Sequence, residues 1–230
     1  MKINIKNIYV KYAVDYNYKP EIKIKEIDLN KKNKLRLFGA DKKNLKITNI
    51  GIYSITDPET AQRISETIKK KMKTKNLIIT DATGNNGGNT INFAKNFKFV
   101  NSIEIVEDHC KVLDNNVKAF NLENVKIYCD DFIKIKDTLK QDVIFIDPPW
   151  GGPDYIKHEH LELELGDYKL ADLVNNLLDI VKLVVIKVPR NYDFDNLKSK
   201  INKKASEIEI QSIFNKYTNK LSYYVTYIKK

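Results

Sequence analysis

From Asn76 onward the chain alternates two kinds of segment. "NLIITDAT" is an apolar run ending near an acid, followed by a glycine loop and a helical pattern from about Asn89. "FVNSIEIV", a helical pattern over 108–120, "NVKIYCDD", "DVIFIDPP", a helical pattern near 168–181 and "LVVIKVP" repeat the rhythm. Strands that alternate with helices are joined by crossovers and lie parallel in a doubly wound sheet. The last two runs, "SEIEIQSIF" and "LSYYVTYIKK", are joined only by "NKYTNK". That turn is too short for a crossover helix, so this pair must be antiparallel. The reading is an α/β chain with a mostly parallel seven-stranded sheet whose last strand is antiparallel.

Before Asn76 the pattern changes. Residues 1 to about 30 alternate apolar and polar in "INIKNIYVKY" and "EIKIKEIDL", which suggests short strands or an extended arm. Residues 31–56 are rich in lysine and asparagine around "LRLF". At "DPE" an aspartate, Pro58 and a glutamate suit a helix start, and the helical pattern runs to about Lys73. Residues 1–56 are therefore set apart as a small N-terminal extension, with 57–230 as the main domain. A 230-residue chain with 42% apolar content is long enough for one large domain and argues against disorder.

The net charge is +10, and the only arginines are Arg36, Arg63 and Arg190. A basic surface attracts nucleic acid, polyphosphates or anionic membrane. The abundance of lysine, asparagine and isoleucine also fits an AT-rich genome. No apolar run approaches the roughly 20 residues that span a bilayer. The N-terminus lacks a signal peptide's apolar centre, so the expectation is an intracellular protein. Cys110 and Cys129 lack metal-ligand spacing and read as buried, reduced thiols; no metal is expected.

"DATGNNGGNT" (residues 81–90) lies between the first regular strand and its helix. Glycines there let backbone approach a ligand, and the helix N-terminus favours negative charge. It is not the dinucleotide fingerprint G-x-G-x-x-G. Glu104 reads as lying in the second strand, where an acid is costly unless it has a partner. In doubly wound folds that position takes the ribose hydroxyls of an adenosine. "CDDF" ends the third strand; Asp131 is placed to accept from an adenine amine and Phe132 to pack on the ring. Acids at three successive strand ends beside a glycine loop describe an S-adenosylmethionine pocket. The order of elements is that of Rossmann-type class I methyltransferases.

The fourth strand ends in "DPPW". Methyl transfer to an aromatic amine needs the amine's lone pair aimed at the methyl carbon. The Asp147 carboxylate and the Pro148 carbonyl can take the two amine hydrogens and hold it in line, so catalysis is orientation and electrostatics. The prolines stiffen the turn, and Trp150 offers a flat face for a base.

"PPWGGPDY" resembles the corresponding motif of the trimethylguanosine synthase family, which methylates the 2-amino group of 7-methylguanosine RNA caps. "GIYSITDPETAQRI", "DATGNNGGNT" and "KVPRN" are similar to further family segments, in order, over roughly residues 35–228. The resemblance implies that Ser54 and Thr56 line the cofactor and cap pockets, with the N-terminal extension contributing to them. It implies that Asp81, Gly84, Gly87, Gly88 and Asn89 hold the methionine part of S-adenosylmethionine. Glu104 would hold the ribose and Asp131 the adenine. Trp150 would stack on the cationic 7-methylguanine. Tyr155, Arg190, Lys220 and a lysine of "KKNK", Lys31 among them, would reach the triphosphate. The implied partner is capped RNA, bound by a monomer in the cytoplasm or nucleus. Asp147 stands where the family usually has serine, and Thr83, Gly84 and Asn85 where Phe-Cys-Gly is usual.

Other readings remain open on the residues. Adenine 6-amino methyltransferases of DNA or RNA also use an aspartate in the D-P-P motif, though "GGPDY" and "PRN" are not theirs. Cap ribose 2′-O-methyltransferases carry a Lys-Asp-Lys-Glu tetrad, and Lys187 lies on the strand after Asp147; more simply, it is a strand-end lysine reaching solvent. A cap- or RNA-binding module without catalysis would not need the cofactor acids.

Overall fold

A computed structural model describes residues 26–201 and 203–230. The arm or strands that the alternation predicts over residues 1–30 lie outside the described residues up to residue 25. The chain divides into two compact units, one of residues 23–142 and the other including residues 143–230.

In the first unit, β1 (Glu26–Asp28) pairs antiparallel with β2 (Lys46–Thr48). Between them the lysine-rich stretch folds as a helix, α1 (Lys31–Phe38). The Asn30 side chain caps it by accepting from Asn33 N at 2.9 Å, and Gly39 ends it with φ 68°. Only Leu37 and Phe38 of α1 are buried, so its apolar stripe is too narrow to show in the sequence pattern. A single turn, α2 (Gly51–Ser54), precedes α3 (Pro58–Met72). Asp57 caps α3 as "DPE" predicts, accepting from Glu59 N and Thr60 N at 3.1 Å each.

Then come β3 (Ile78–Asp81), α4 (Gly88–Asn96), β4 (Phe99–Ile103), α5 (Glu107–Ala119), β5 (Val125–Tyr128) and the short α6 (Phe132–Ile135). β3 pairs parallel with β4, and β4 with β5. Two asparagines tie β2 to this unit. Asn116 on α5 accepts from Lys46 N and donates to Lys46 O and Asn86 O, all at 2.9 Å. Asn86 in turn accepts from Thr48 N at 2.6 Å. Both are fully buried. A composition that reads as genomic bias thus includes side chains that satisfy buried backbone groups.

The expectation of two reduced, buried thiols does not hold. Cys110 on α5 and Cys129 after β5 form a disulfide with Cα atoms 5.8 Å apart, and Cys129 is exposed. That separation lies inside the usual bridging range, which a sequence spacing of 19 residues does not reveal.

The second unit holds β6 (Val143–Ile146), a two-residue hairpin of β7 (Glu164–Leu165) and β8 (Tyr168–Lys169), α7 (Leu170–Leu177), β9 (Leu183–Pro189) and α8 (Phe194–Ile201). It ends with β10 (Glu207–Phe214) and β11 (Leu221–Lys229). β6 and β9 are parallel, while β11 is antiparallel to both β9 and β10. β9 is buried along its whole length. The strands run in the order β10-β11-β9-β6 in this unit and β3-β4-β5 in the first. These are the parallel strands and the antiparallel end that the sequence predicts. α8 escapes the sequence pattern because only Leu197 and Ile201 are buried on it. Among the described residues no helix is long and apolar enough to cross a membrane.

The Cys110–Cys129 bond closes a loop of 19 residues. Its reduction should lower the unfolding free energy by about 3 kcal/mol, the loop-entropy contribution for that length. Urea unfolding with and without dithiothreitol checks this, and identical midpoints would contradict it.

Candidate active site

The loop after β3 gathers most of the expected cofactor residues. Asp81 ends β3 nearly fully buried, accepting from Thr90 Oγ1 at 2.6 Å. Asn85 donates from its side chain to Ser54 Oγ at 2.8 Å, and Asn89 from its own to Thr56 Oγ1 at 2.9 Å. Ser54 and Thr56 are thereby held against the loop. Gly87 caps α4 with φ 95°. The other two glycines are set by protein contacts. A Cβ on Gly84 would come within 2.5 Å of Ser102 Oγ, and one on Gly88 within 2.9 Å of Thr56 O. Close packing of the loop explains these two, where the sequence suggests room for a ligand. Asn89 Oδ1 is buried and has no hydrogen-bond partner among the described residues.

Glu104 directly follows β4 and does not lie within it. It is 7% exposed and braces the loop: Oε2 accepts from Asn85 N at 2.7 Å and Oε1 from Val106 N at 2.8 Å. Burial pushes its carboxyl up to about 7; the Val106 and Asn85 N–H groups oppose this, and the Asp81 charge adds to it. His109 Nδ1 stands 3.9 Å from Oε1. Burial pushes that imidazole down to about 4, so it is neutral at physiological pH. Asp131 caps α6, its Oδ1 accepting from Ile133 N at 2.9 Å, and Phe132 is buried. Lys31 is exposed at the start of α1, 4.0 Å from Asp41.

The second unit holds the other group. Asp147 follows β6, and Lys187 Nζ on β9 donates to its Oδ2 at 2.7 Å. Lys187 does not reach solvent as the sequence suggests; it is 5% exposed. β9 lies between β6 and β11, so a side chain there stays inside and its charge needs a partner. Burial raises the Asp147 pKa, and the Lys187 charge and hydrogen bond oppose it. The same ammonium lies 5.5 Å from the Trp150 ring centroid and 4.8 Å from that of Tyr223.

Tyr155 meets the Trp150 ring edge-on at 5.4 Å, and Tyr223 lies tilted at 6.0 Å. The Trp150 indole N–H is buried without a hydrogen-bond partner among the described residues. Gly151 and Gly152, at φ 89° and 79°, turn the chain into the short helical segment Pro153–Lys157. Asn191 fixes that segment, its side-chain amide donating to Tyr155 O and His158 O at 2.7 Å each. Pro148 is buried; Arg190 and Lys220 are exposed, at the end of β9 and the start of β11. Sequence reasoning missed Tyr223 and the part Asn191 plays. A tyrosine on a strand is an ordinary core choice, and nothing local marks it.

Glu104 gives the first unit a pH signature. Its folded pKa is raised from 4.5 to about 7, so the folded state holds a proton that the unfolded chain releases. Its stabilising contribution is full below pH 4.5 and is lost as pH rises through about 7. The stability of the wild type relative to Glu104→Gln should fall by about 3 kcal/mol between pH 4.5 and 7.5. Denaturant titrations across that range test it; a constant difference would contradict it.

A family model described as RNA cap guanine-N2 methyltransferase matches residues 76–230. An uncharacterized protein of Acanthamoeba polyphaga mimivirus is 43% identical over 126 residues, 53% of this chain and 49% of that protein. The trimethylguanosine synthase of Saccharomyces cerevisiae is 27% identical over 182 residues, 72% of this chain and 55% of that protein. The chain thus spans about half the length of these two relatives. Among solved structures, precorrin-6y C5,15-methyltransferase from Geobacter metallireducens superposes with a TM-score of 0.57. That likeness covers 84% of this chain and 98% of the other at 13% identity, and it shows a shared Rossmann-type fold. With the family match covering more than half of its length, the chain belongs to the RNA cap guanine-N2 methyltransferase family.

Proposed function

We propose that the protein transfers a methyl group from S-adenosylmethionine to the 2-amino group of 7-methylguanosine in an RNA cap, acting as a monomer in the cytoplasm or nucleus. The observation that carries this reading is the Trp150 site. A flat ring whose buried N–H has no partner among the described residues stands beside a carboxylate that Lys187 holds in place. That arrangement suits a planar base with an exocyclic amine.

The first unit's residues fit the cofactor. Asn89 Oδ1, buried without a partner among the described residues, suits an ammonium such as the methionine part carries. A carboxylate has about four acceptor sites, so Glu104 keeps capacity for ribose hydroxyls beyond its two backbone N–H groups. Asp81, Gly84, Gly87, Gly88 and Asn89, with Ser54 and Thr56, would hold the amino-acid end, and Asp131 and Phe132 the adenine. When bound, the cofactor supplies an electrophilic methyl group.

The chain's own residues do the rest. Trp150 stacks on the cationic base. Asp147 accepts one amine hydrogen and the Pro148 carbonyl the other, which turns the lone pair out of the ring plane. Lys187 fixes the carboxylate and balances its charge. Burial raises the Asp147 pKa, which suits it to take the proton that the methylated amine releases. Tyr155, Arg190, Lys220 and Lys31 would contact the triphosphate.

The Asp147–Lys187 pair favours one second reading, transfer to a ribose 2′-hydroxyl, because that chemistry also places a lysine against an aspartate. Product identity separates the two. Capped RNA treated with the wild type and digested to nucleosides should yield 2-N-methylated 7-methylguanosine. A 2′-O-methylated nucleoside or 6-methyladenine in its place would overturn the reading. Asp147→Ala should cut turnover by about a hundred-fold with cap binding largely kept. Lys187→Met should cut it too and move the acidic limb of the pH–rate profile upward, since the carboxylate loses its counter-charge. An unmoved limb would remove Lys187 from the account.

A further inference from the structure

The hairpin of β10 and β11 ends in a tip from which the site above uses Lys220 alone. Its sequence, from Ser212 to Ser222, is "SIFNKYTNKLS", with two lysines and no acid. Phe214 is 54% exposed and Tyr217 79%. Lys216 Nζ lies 5.3 Å from the Tyr217 ring centroid. The tip is a built structure. Asn215 Oδ1 accepts from Tyr217 N at 2.9 Å and Thr218 N at 3.0 Å, while Asn219 N and Asn215 N bond Asn215 O and Lys220 O at 2.8 Å each. A register shift between Ile213 and Phe214 marks where the tip leaves the regular ladder. The hairpin's acids, Glu207 and Glu209, stand at its other end, opposite Lys229 and Tyr227. Aromatic faces held out in water cost solvation, and a basic tip repels another like it.

Its place in the fold says what it meets. β11 starts at Leu221, and Tyr223 pairs with Pro189 at the carboxyl end of β9. β6 runs parallel to β9, so Asp147 and Trp150 follow at that same end. The Tyr223 ring lies 6.0 Å from that of Trp150. The tip is therefore the continuation of a strand that reaches Trp150, at the same end of the sheet as Asp147.

We propose that the β10–β11 tip docks single-stranded RNA just beyond the nucleotide held at Trp150, with bases stacked on Phe214 and Tyr217 and phosphate held by Lys216. Exposed aromatics interleaved with lysine, without acids, suit single strands, because every base has a stacking face and every linkage a charge. This rests on the RNA-cap reading, and it predicts that affinity grows with RNA length where a cap nucleotide alone gains nothing.

The test is fluorescence anisotropy with a labelled, uncapped ten-nucleotide single strand, beside methylation kinetics on a cap dinucleotide and on a capped RNA of the same length. Phe214→Ser with Tyr217→Ser should weaken the oligonucleotide about ten-fold or more. It should raise the capped RNA's KM similarly and leave the dinucleotide's kinetics unchanged. Phe214→Tyr with Tyr217→Phe should restore binding, and Lys216→Gln should make the salt dependence of affinity shallower. Unchanged oligonucleotide affinity in the serine variant overturns the proposal, as does equal loss on the dinucleotide. A wild-type dimer in sedimentation that the serine variant abolishes also overturns it, by giving the tip to a second copy. If the wild type binds the oligonucleotide through the tip but methylates no cap, the cap reading fails and the docking surface stands.

Discussion

The ion pair between Asp147 and Lys187 is the constraint around which the proposed acceptor site is organised. Both groups are largely withdrawn from water, at 17% and 6% side-chain exposure, and meet at 2.7 Å. Either one alone would be a buried, uncompensated charge, a cost on the order of 3–5 kcal/mol. Together they fix a carboxylate at the end of β6 in one orientation. They also place an ammonium against the rings of Trp150 and Tyr223. The two glycines with positive φ, the helical turn and the Asn191 clamp then bring Tyr155 to the edge of the same tryptophan. The rigid parts are carbonyls, rings and one charge pair, which suits a reaction that needs orientation more than covalent chemistry.

The first unit solves a different problem with buried amides. Asn86 and Asn116 satisfy the backbone of β2 and of the loop after β3, and Asn85 links that loop to Ser54. Glu104 is anchored by two backbone N–H groups and so holds the loop before any ligand does. A residue of this kind has two duties. Its burial raises its pKa toward neutrality, while the ribose recognition proposed for it would use the ionised form.

The strands were legible because a doubly wound sheet buries both faces, and "NLIIT", "DVIFI" and "LVVIKVP" carry that as unbroken apolar runs. α3 was legible from its cap, which is a local interaction. α1 and α8 were not, since each buries only two side chains. The acids were legible as residues at strand ends, yet their local duties were not. Asp131 caps a helix and Glu104 braces a loop, and both depend on backbone groups that a strand-and-helix pattern does not locate. Lys187 was misread for a related reason. Its partner lies 40 residues away, and no local pattern separates a lysine that snorkels to water from one that closes a buried pair. The asparagines were hidden by composition, and the disulfide by its dependence on how α5 packs beside β5.

The proposed chemistry delivers the methyl to the 2-amino group of the cap guanine. Its most direct test compares two RNAs that differ in that group alone, one capped with 7-methylguanosine and one with 7-methylinosine, each incubated with S-adenosylmethionine carrying a labelled methyl group. Both caps are cationic and flat, so both should stack on Trp150, and both keep every ribose hydroxyl and adenine. Label should appear only in the guanosine-capped RNA. Equal labelling of the two would contradict it.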